Sequence, residues 1–204
     1  DIKLDHAALI EPLAVACHDV SRSRLTEGED VLVIGGGPIG LLIAMVAKYR
    51  GGNVTISEVS KTRVNLAKEM GFEVINPIET DLSEELNSRT NGKGADVIFE
   101  VSGSKSGVKS MTQCAAVRAR IVMVAIHGEP QPVDLFQFFW RELELIGARV
   151  YTASDYEQAI DLITSNVIDC KKLITDVRPL DDIQASFEAL DNADGAMKTL
   201  ICCN

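Results

Sequence analysis

The sequence has little positive charge, few aromatic residues and no long apolar run. It contains 20 Lys and Arg against 30 Asp and Glu, which gives a net charge of −10 at pH 7. A nucleic-acid surface needs clustered positive charge to meet phosphates, so this balance argues against a nucleic-acid partner. No apolar run approaches the roughly 18 residues of a membrane span, and no signal peptide is visible. We therefore expect no membrane association.

The cysteines and histidines lack the spacing of disulfide frameworks and metal sites. The cysteines are Cys17, Cys114, Cys170, Cys202 and Cys203. They are odd in number and never spaced as CxxC, so we expect a reducing, cytoplasmic environment and no structural zinc site. His6, His18 and His127 are isolated in sequence. We interpret each as a packing or surface residue rather than a metal ligand.

Strands and helices alternate along most of the chain. Residues 31–34 form a short continuous apolar run, which is typical of a strand buried on both faces. A helix is predicted from Pro38, which suits a first helical position, to Tyr49. Five further strands are predicted at 54–58, 72–75, 96–101, 120–125 and 145–151, with helices at 61–70, 82–89, 108–117 and 134–143 between them. This rhythm predicts an α/β fold with a doubly wound, six-stranded parallel sheet in the order 3-2-1-4-5-6.

The last fifty residues have a different pattern. Helices are predicted at 156–165 and 181–190, and strands at 173–177 and 197–202. Those two strands have no obvious place in a six-stranded doubly wound sheet, so we expect a small α+β remnant of a second domain. The chain also begins with Asp1 rather than Met, which is typical of a piece of a longer protein. Phe138, Phe139 and Trp140 are interpreted as packing residues.

A glycine motif follows the first predicted strand. Gly35-Gly36-Gly37-Pro38-Ile39-Gly40 fits GxGxxG, between a strand and a helix. In this motif Gly35 allows the tight turn, Gly37 lets the backbone approach a pyrophosphate, and Gly40 lets the helix pack close to the strand. Phosphates then lie at the helix N-terminus, on free N–H groups. The motif predicts dinucleotide binding, and the alternative is a purely structural glycine turn.

An acidic residue stands where the cofactor's adenosine ribose is expected. Glu58 ends the second strand, about 20 residues after the motif. Its carboxylate can accept both ribose hydroxyls and would repel a 2′-phosphate, which favours NAD over NADP. The alternative is a solvated acid at a strand end. Arg63, just beyond, could stack on adenine or solvate a helix face.

Further segments carry a family resemblance. They are 8–15, which includes Ile10-Glu11-Pro12-Leu13, then 33–40, Glu100-Val101-Ser102-Gly103, Leu145-Ile146-Gly147 and Met197-Lys198-Thr199-Leu200. With them the chain resembles the medium-chain zinc-dependent alcohol dehydrogenases, and looks most like the branch containing sorbitol, threonine and butanediol dehydrogenases. The resemblance covers nearly all of the chain.

The resemblance implies roles for residues that the motif does not reach. Glu11 would reach the catalytic zinc directly or through a water, although by itself it would more often be a helix-start residue. Lys198 could reach the pyrophosphate. The strand at 145–151 would be the edge that pairs across a homo-oligomer. The loops that would border the adenosine and nicotinamide comprise Val101, Ser102, Gly103, Val124, Ala125 and Ile126.

The family's first half has no counterpart in residues 1–204: neither the cysteine zinc ligand, nor the Gly-His-Glu segment, nor the four-cysteine structural zinc loop. We therefore interpret 1–152 as an NAD-binding domain with a leading helix, and 153–204 as a C-terminal segment of the catalytic domain. The whole enzyme would transfer hydride between a polyol or secondary alcohol and NAD, and this chain alone would be inactive and hold no zinc. The alternatives are a zinc-independent quinone reductase, against which Glu11 argues, and a regulatory NAD-binding module, which would need no tail strands.

Overall fold

A six-stranded parallel sheet forms the centre of the computed structural model, which describes residues 2–191 and 197–203. Its strands are β1 (Asp30–Ile34), β2 (Asn53–Ser57), β3 (Glu73–Ile75), β4 (Ala95–Glu100), β5 (Ala115–Met123) and β6 (Glu144–Gly147). They lie in the order β3-β2-β1-β4-β5-β6, and every neighbouring pair is parallel. The predicted doubly wound topology is confirmed. Its switch point lies between β1 and β4.

Helices cover both faces of this sheet. They are α1 (Leu4–Ala7), α2 (Ile10–Ser23), α3 (Pro38–Tyr49), α4 (Lys61–Glu69), α5 (Leu82–Arg89), α6 (Lys105–Gln113), α7 (Leu135–Arg141), α8 (Ala153–Thr164) and α9 (Ile183–Asp191). Val31 and Val33 of β1 pack in the core shared with α2, α3 and α8. Leu32 and Ile34 pack in a second core with α5 and α6. A strand with apolar neighbours on both faces needs the continuous apolar run seen in the sequence.

The connection between β4 and β5 differs from the prediction. α6 begins at Lys105, not at 108, because the Ser104 hydroxyl caps the helix by accepting the Gly107 N–H at 2.9 Å. β5 begins at Ala115, and its register on β4 shifts between Ala95 and Val97. Arg118 adopts φ +63° within that irregular stretch. The strand is therefore longer than the apolar run that predicted it.

The sheet edge also differs from the prediction. β6 ends at Gly147, so residues 148–151 lie outside the ladder, and Val150 adopts φ +60°, which an extended strand cannot accommodate. The interpretation of the α7 aromatics as packing residues is wrong for two of them. Phe139 is 78% exposed and Trp140 is 69% exposed, while Phe138 packs against the α5–α6 core.

The tail forms a separate two-stranded parallel sheet of β7 (Ile174–Pro179) and β8 (Lys198–Cys202). This confirms that the two tail strands lie outside the six-stranded sheet. Short 3-10 helices at Cys170–Leu173 and Leu180–Asp182 flank β7. Ala159, Leu162 and Ile163 of α8 are buried in the core that contains α2. None of the helices within 2–191 and 197–203 has the length and apolar character needed to cross a membrane.

Candidate dinucleotide-binding site

The turn after β1 requires glycine at its two ends. Gly35 adopts φ +106°, and a Cβ there would lie 3.0 Å from the backbone N and Cα of Ser102. A Cβ on Gly40 would lie 1.9 Å from the carbonyl oxygen of Gly35. Gly40 is therefore required for the close approach of α3 to β1, and Gly35 for the turn and its contact with the loop after β4.

The middle of the turn is open. Gly37 is the N-cap of α3 with extended backbone angles, and the one described atom within 4 Å of a Cβ built on it is Nη1 of Arg63, at 3.7 Å. Pro38 and Ile39 form the first turn of α3, where no side chain caps the helix and no acidic residue is present. The N-terminus of α3 thus presents free N–H groups and a positive dipole end beside open space, as an anion-binding site does.

Glu58 is buried beside this turn. It is 5% exposed, which does not fit a solvated acid at a strand end. Its Oε2 accepts the N–H of Gly36 at 2.8 Å, and its Oε1 accepts those of Val59 and Ser60 at 2.7 and 2.8 Å. The carboxylate therefore joins the end of β2 to the glycine turn. A carboxylate has about four acceptor sites, so these three hydrogen bonds leave room for a further donor.

Arg63 lies against the same turn. It is in the first half of α4, its Nε is buried, and that atom has no hydrogen-bond partner within the described ranges. Its Nη1 is the nearest atom to the open position at Gly37. This placement does not fit a side chain that merely solvates a helix face. It puts Nη1 of the guanidinium beside the N-terminus of α3, while Nε has no hydrogen-bond partner among the described residues.

Two loops face the turn from the other side of the switch point. Residues 101–103 follow β4, and residues 124–127 follow β5. The buried side chain of Glu100 accepts the N–H and the hydroxyl of Ser102 at 3.1 and 2.5 Å, and faces Nε2 of His127 at 3.2 Å. The sequence analysis gave Glu100 no role beyond the family resemblance and interpreted His127 as a packing or surface residue. The signal that could have identified Glu100 is an acidic residue at the end of an apolar strand, which is the pattern that identified Glu58.

Two predicted site residues belong to other elements. Glu11 is exposed in the first turn of α2, and Lys198 is the first residue of β8, paired with Ile174. In the part of the chain that the structure describes, no hydrogen bond or ion pair joins either of them to the glycine turn. Nor do three or more His, Cys, Asp or Glu side chains converge within 2–191 and 197–203 to hold a metal ion. The described residues do not by themselves assemble a zinc site.

Comparison with known proteins identifies the family. A family model described as zinc-binding dehydrogenase matches residues 38–165. The chain belongs to the zinc-binding dehydrogenase family. As a member, it is 53% identical over 203 residues to a 2-dehydro-3-deoxy-L-galactonate 5-dehydrogenase from Pseudoalteromonas atlantica, with 100% of this chain and 60% of that protein covered. It is 36% identical to an (R,R)-butanediol dehydrogenase from Neisseria gonorrhoeae, with 98% and 57% covered.

Solved structures of dehydrogenases share this fold. The 2R,3R-butanediol dehydrogenase from Bacillus subtilis has a TM-score of 0.90 and 31% identity over 97% of this chain and 57% of its own. A protein from Sinorhizobium meliloti described as a zinc-binding dehydrogenase, bound to NADP, has a TM-score of 0.89 and 28% identity, with 99% and 61% covered. An alcohol dehydrogenase from Escherichia coli complexed with NADH has a TM-score of 0.87 and 28% identity, with 97% and 59% covered. The zinc-binding dehydrogenase chain described here thus spans about three fifths of the length of the proteins that it matches.

Proposed function

We propose that this chain is the NAD-binding part, with a C-terminal segment, of a dehydrogenase that transfers hydride between a polyol or secondary alcohol and NAD. Family membership and the names of the relatives support the reaction class. The observation that carries the binding role is the open space at Gly37, between the uncapped N-terminus of α3 and the guanidinium of Arg63. That space has the form and the charge that a pyrophosphate needs.

The residues around the switch point would share the work of binding. Gly37, Pro38 and Ile39 would hold the pyrophosphate on their backbone, with Gly35 and Gly40 shaping the turn. Glu58 and Arg63 would bind the adenosine half, and the loops at 101–103 and 124–126 would border the rest, with Lys198 reaching the pyrophosphate. Bound NAD would supply the hydride acceptor, and this chain's residues would orient it.

We further propose that NAD is preferred over NADP. The carboxylate of Glu58 is held rigidly by three N–H donors at the end of β2, so a 2′-phosphate there would meet fixed negative charge. Arg63 works in the opposite direction, because a guanidinium attracts phosphate. We expect the carboxylate to dominate because it is the more buried of the two groups.

The metal and the partners are proposed for the longer protein. Glu11 would contribute to a catalytic zinc there, directly or through a water, and this chain alone would hold none. The domain division at 152/153 follows the same reasoning, and a cytoplasmic location rests on the scattered cysteines. We propose that copies pair through the edge at 145–151, where no strand of the described residues lies on the outer side of β6 and Leu145 is half exposed.

One substitution tests the cofactor role. Among the described residues, a Cβ at Gly37 would meet the flexible end of Arg63 at 3.7 Å, so Gly37→Val should fold normally while its side chain fills the space for the pyrophosphate. Calorimetry with NADH should show binding by the wild type and none by the variant. Gly147→Val is the matched control, since Gly147 lies outside the glycine turn and a Cβ there meets no described atom within 4 Å. Retained NADH affinity in a folded Gly37→Val chain would contradict the proposal.

A further inference from the structure

The loops after β4 and β5 contact each other at the carboxyl edge of the sheet. A Cβ built on Gly103 would lie 3.7 Å from Cβ of Ala125 and 3.8 Å from the carbonyl oxygen of Ile126. The N–H groups of Val124 and Ala125 both donate to the carbonyl oxygen of Glu100 at 3.0 Å. The position of one loop therefore depends on the position of the other.

The side chain of Glu100 strengthens this connection from within. It is 0% exposed, and the first turn of α6 packs so closely on it that a Cβ at Gly107 would lie 2.6 Å from Oε1. Oε1 accepts both hydrogen bonds from Ser102, in the loop after β4. Oε2 faces His127, in the loop after β5. One buried carboxylate thus holds both loops, one with each oxygen.

Among the residues that the structure describes, Glu100 makes the polar contact that orients the imidazole of His127. A carboxylate accepts hydrogen bonds, so Nε2 of His127 carries the hydrogen in this contact. The other ring nitrogen, Nδ1, is buried and has no hydrogen-bond partner among the residues that the structure describes. Without Glu100, no polar contact from those residues would fix the ring.

This pair lies on the opposite side of the glycine turn from Glu58. In the sheet, β2 and β4 flank β1 on its two sides. A dinucleotide bound at a switch point lies across the carboxyl ends of the strands, with its pyrophosphate on the turn after β1. If Glu58 holds the adenosine half, the Glu100 side receives the nicotinamide half.

We propose that Glu100 and His127 are positioning residues that hold the two loops together and thereby fix the nicotinamide half of the cofactor. The inference rests on the proposed NAD-binding function and adds to it. The pair need not touch the cofactor, because it acts through the backbone of residues 101–103 and 124–126. Loss of the pair should therefore weaken contacts to nicotinamide and leave those to ADP-ribose unchanged.

The test compares two ligands on three variants of this chain. Calorimetry with NADH and with ADP-ribose, which lacks the nicotinamide ring, gives the ratio of their dissociation constants. His127→Ala should weaken NADH binding about five- to tenfold, the effect of losing one typical hydrogen bond, and change ADP-ribose binding less than about twofold. His127→Gln, which keeps an N–H donor, should recover part of the loss. The control is His18→Ala, which removes a second His–carboxylate contact, 2.9 Å to Asp155, that joins α2 to α8 and involves neither loop.

The outcomes separate the inference from the proposed function. A wild-type chain that binds neither ligand overturns the proposed function. Binding of both ligands by the wild type, with an unchanged ratio in His127→Ala, overturns the inference alone. An equal loss for NADH and ADP-ribose also overturns it, because the pair would then only stabilise the fold. Thermal unfolding of each variant shows whether it is folded, and His127→Gln serves as the test if His127→Ala is not.

Discussion

Asp19 is a buried acid whose charge should cost stability at neutral and alkaline pH. It lies in α2, is 1% exposed, and neither carboxylate oxygen has a hydrogen-bond partner in the described part of the chain. Burial, and then the nearby charge of Asp155, raise the pKa of Asp19 from 3.8 to about 7. Asp155 itself stays ionised: burial opposes its charge, but hydrogen bonds from Thr152 and His18 outweigh that effect and lower its pKa.

The shift fixes both the sign and the size of the effect. Because the folded-state pKa of Asp19 is raised, the folded chain keeps a proton that the unfolded chain loses above about pH 4. Stability therefore falls as pH rises from about 4 to 7 and stays lower above that window. At about 1.4 kcal/mol per pH unit, a window of about three units corresponds to at most about 4 kcal/mol.

Asp19→Asn should remove this dependence, since its side chain has nearly the same shape and no charge. The free energy of unfolding, measured by urea denaturation from pH 4 to 8.5, should favour the variant increasingly up to pH 7 and by a constant amount above it. The buried amide adds an offset that does not change with pH, so the slope is the quantity to compare. Asp161→Asn, at an exposed position on α8, controls for simple loss of an acid. Parallel curves for wild type and Asp19→Asn would refute the reasoning, as would a variant that loses ground as pH rises.

Three other predictions concern the site. Glu58→Ala should reduce the preference for NAD over NADP, which we place on the order of 1–3 kcal/mol, and calorimetry on the wild type that gives equal affinities for both cofactors would contradict the role. The purified chain should hold no stoichiometric zinc and should form no NADH from sorbitol, threonine or 2,3-butanediol. One zinc per chain by metal analysis, or turnover that a chelator abolishes, would contradict this prediction and reveal a metal site in the chain. Gly40→Ala should destabilise the fold by about 1–3 kcal/mol in urea denaturation, because its Cβ would overlap the carbonyl oxygen of Gly35; Gly128→Ala, with no atom within 4 Å of its Cβ, should not.

The topology of the sheet could be predicted from the sequence because its signals are local. β1 is an apolar run followed directly by glycines, and Pro38 then begins a helix. Each later strand except β5 lies within about two residues of its predicted start. The sequence predicts the start of β5 too late because the first residues of the strand, Ala115 and Ala116, are not distinctive as strand formers and continue a helical pattern. The start of α6 was also ambiguous in the sequence. Its N-cap, Ser104, lies two residues from Ser102 and from Ser106, and all three serines fit a cap by residue type.

The parts of the site that the sequence missed depend on contacts between distant segments. Glu100 and His127 are 27 residues apart, and only the pairing of β4 with β5 brings them together. The exposure of Phe139 and Trp140 could not be predicted for the same reason, because it also depends on distant segments. Their spacing on α7 indicates an apolar face, but burial depends on whether another element covers that face, which a local pattern does not contain.

The small sheet of β7 and β8 supports the idea that this chain functions as part of a larger unit. Two strands rarely form a stable sheet by themselves, and here they are parallel, which makes the pairing weaker per residue. Leu173 and Met197 attach the sheet to the main core, yet Val177, Leu180 and Phe187 are each more than half exposed beside it. Apolar side chains so exposed beside a two-stranded sheet form an apolar patch on the surface of this chain. The relative from Pseudoalteromonas atlantica, of which this chain matches 60%, contains additional polypeptide beyond the part that matches.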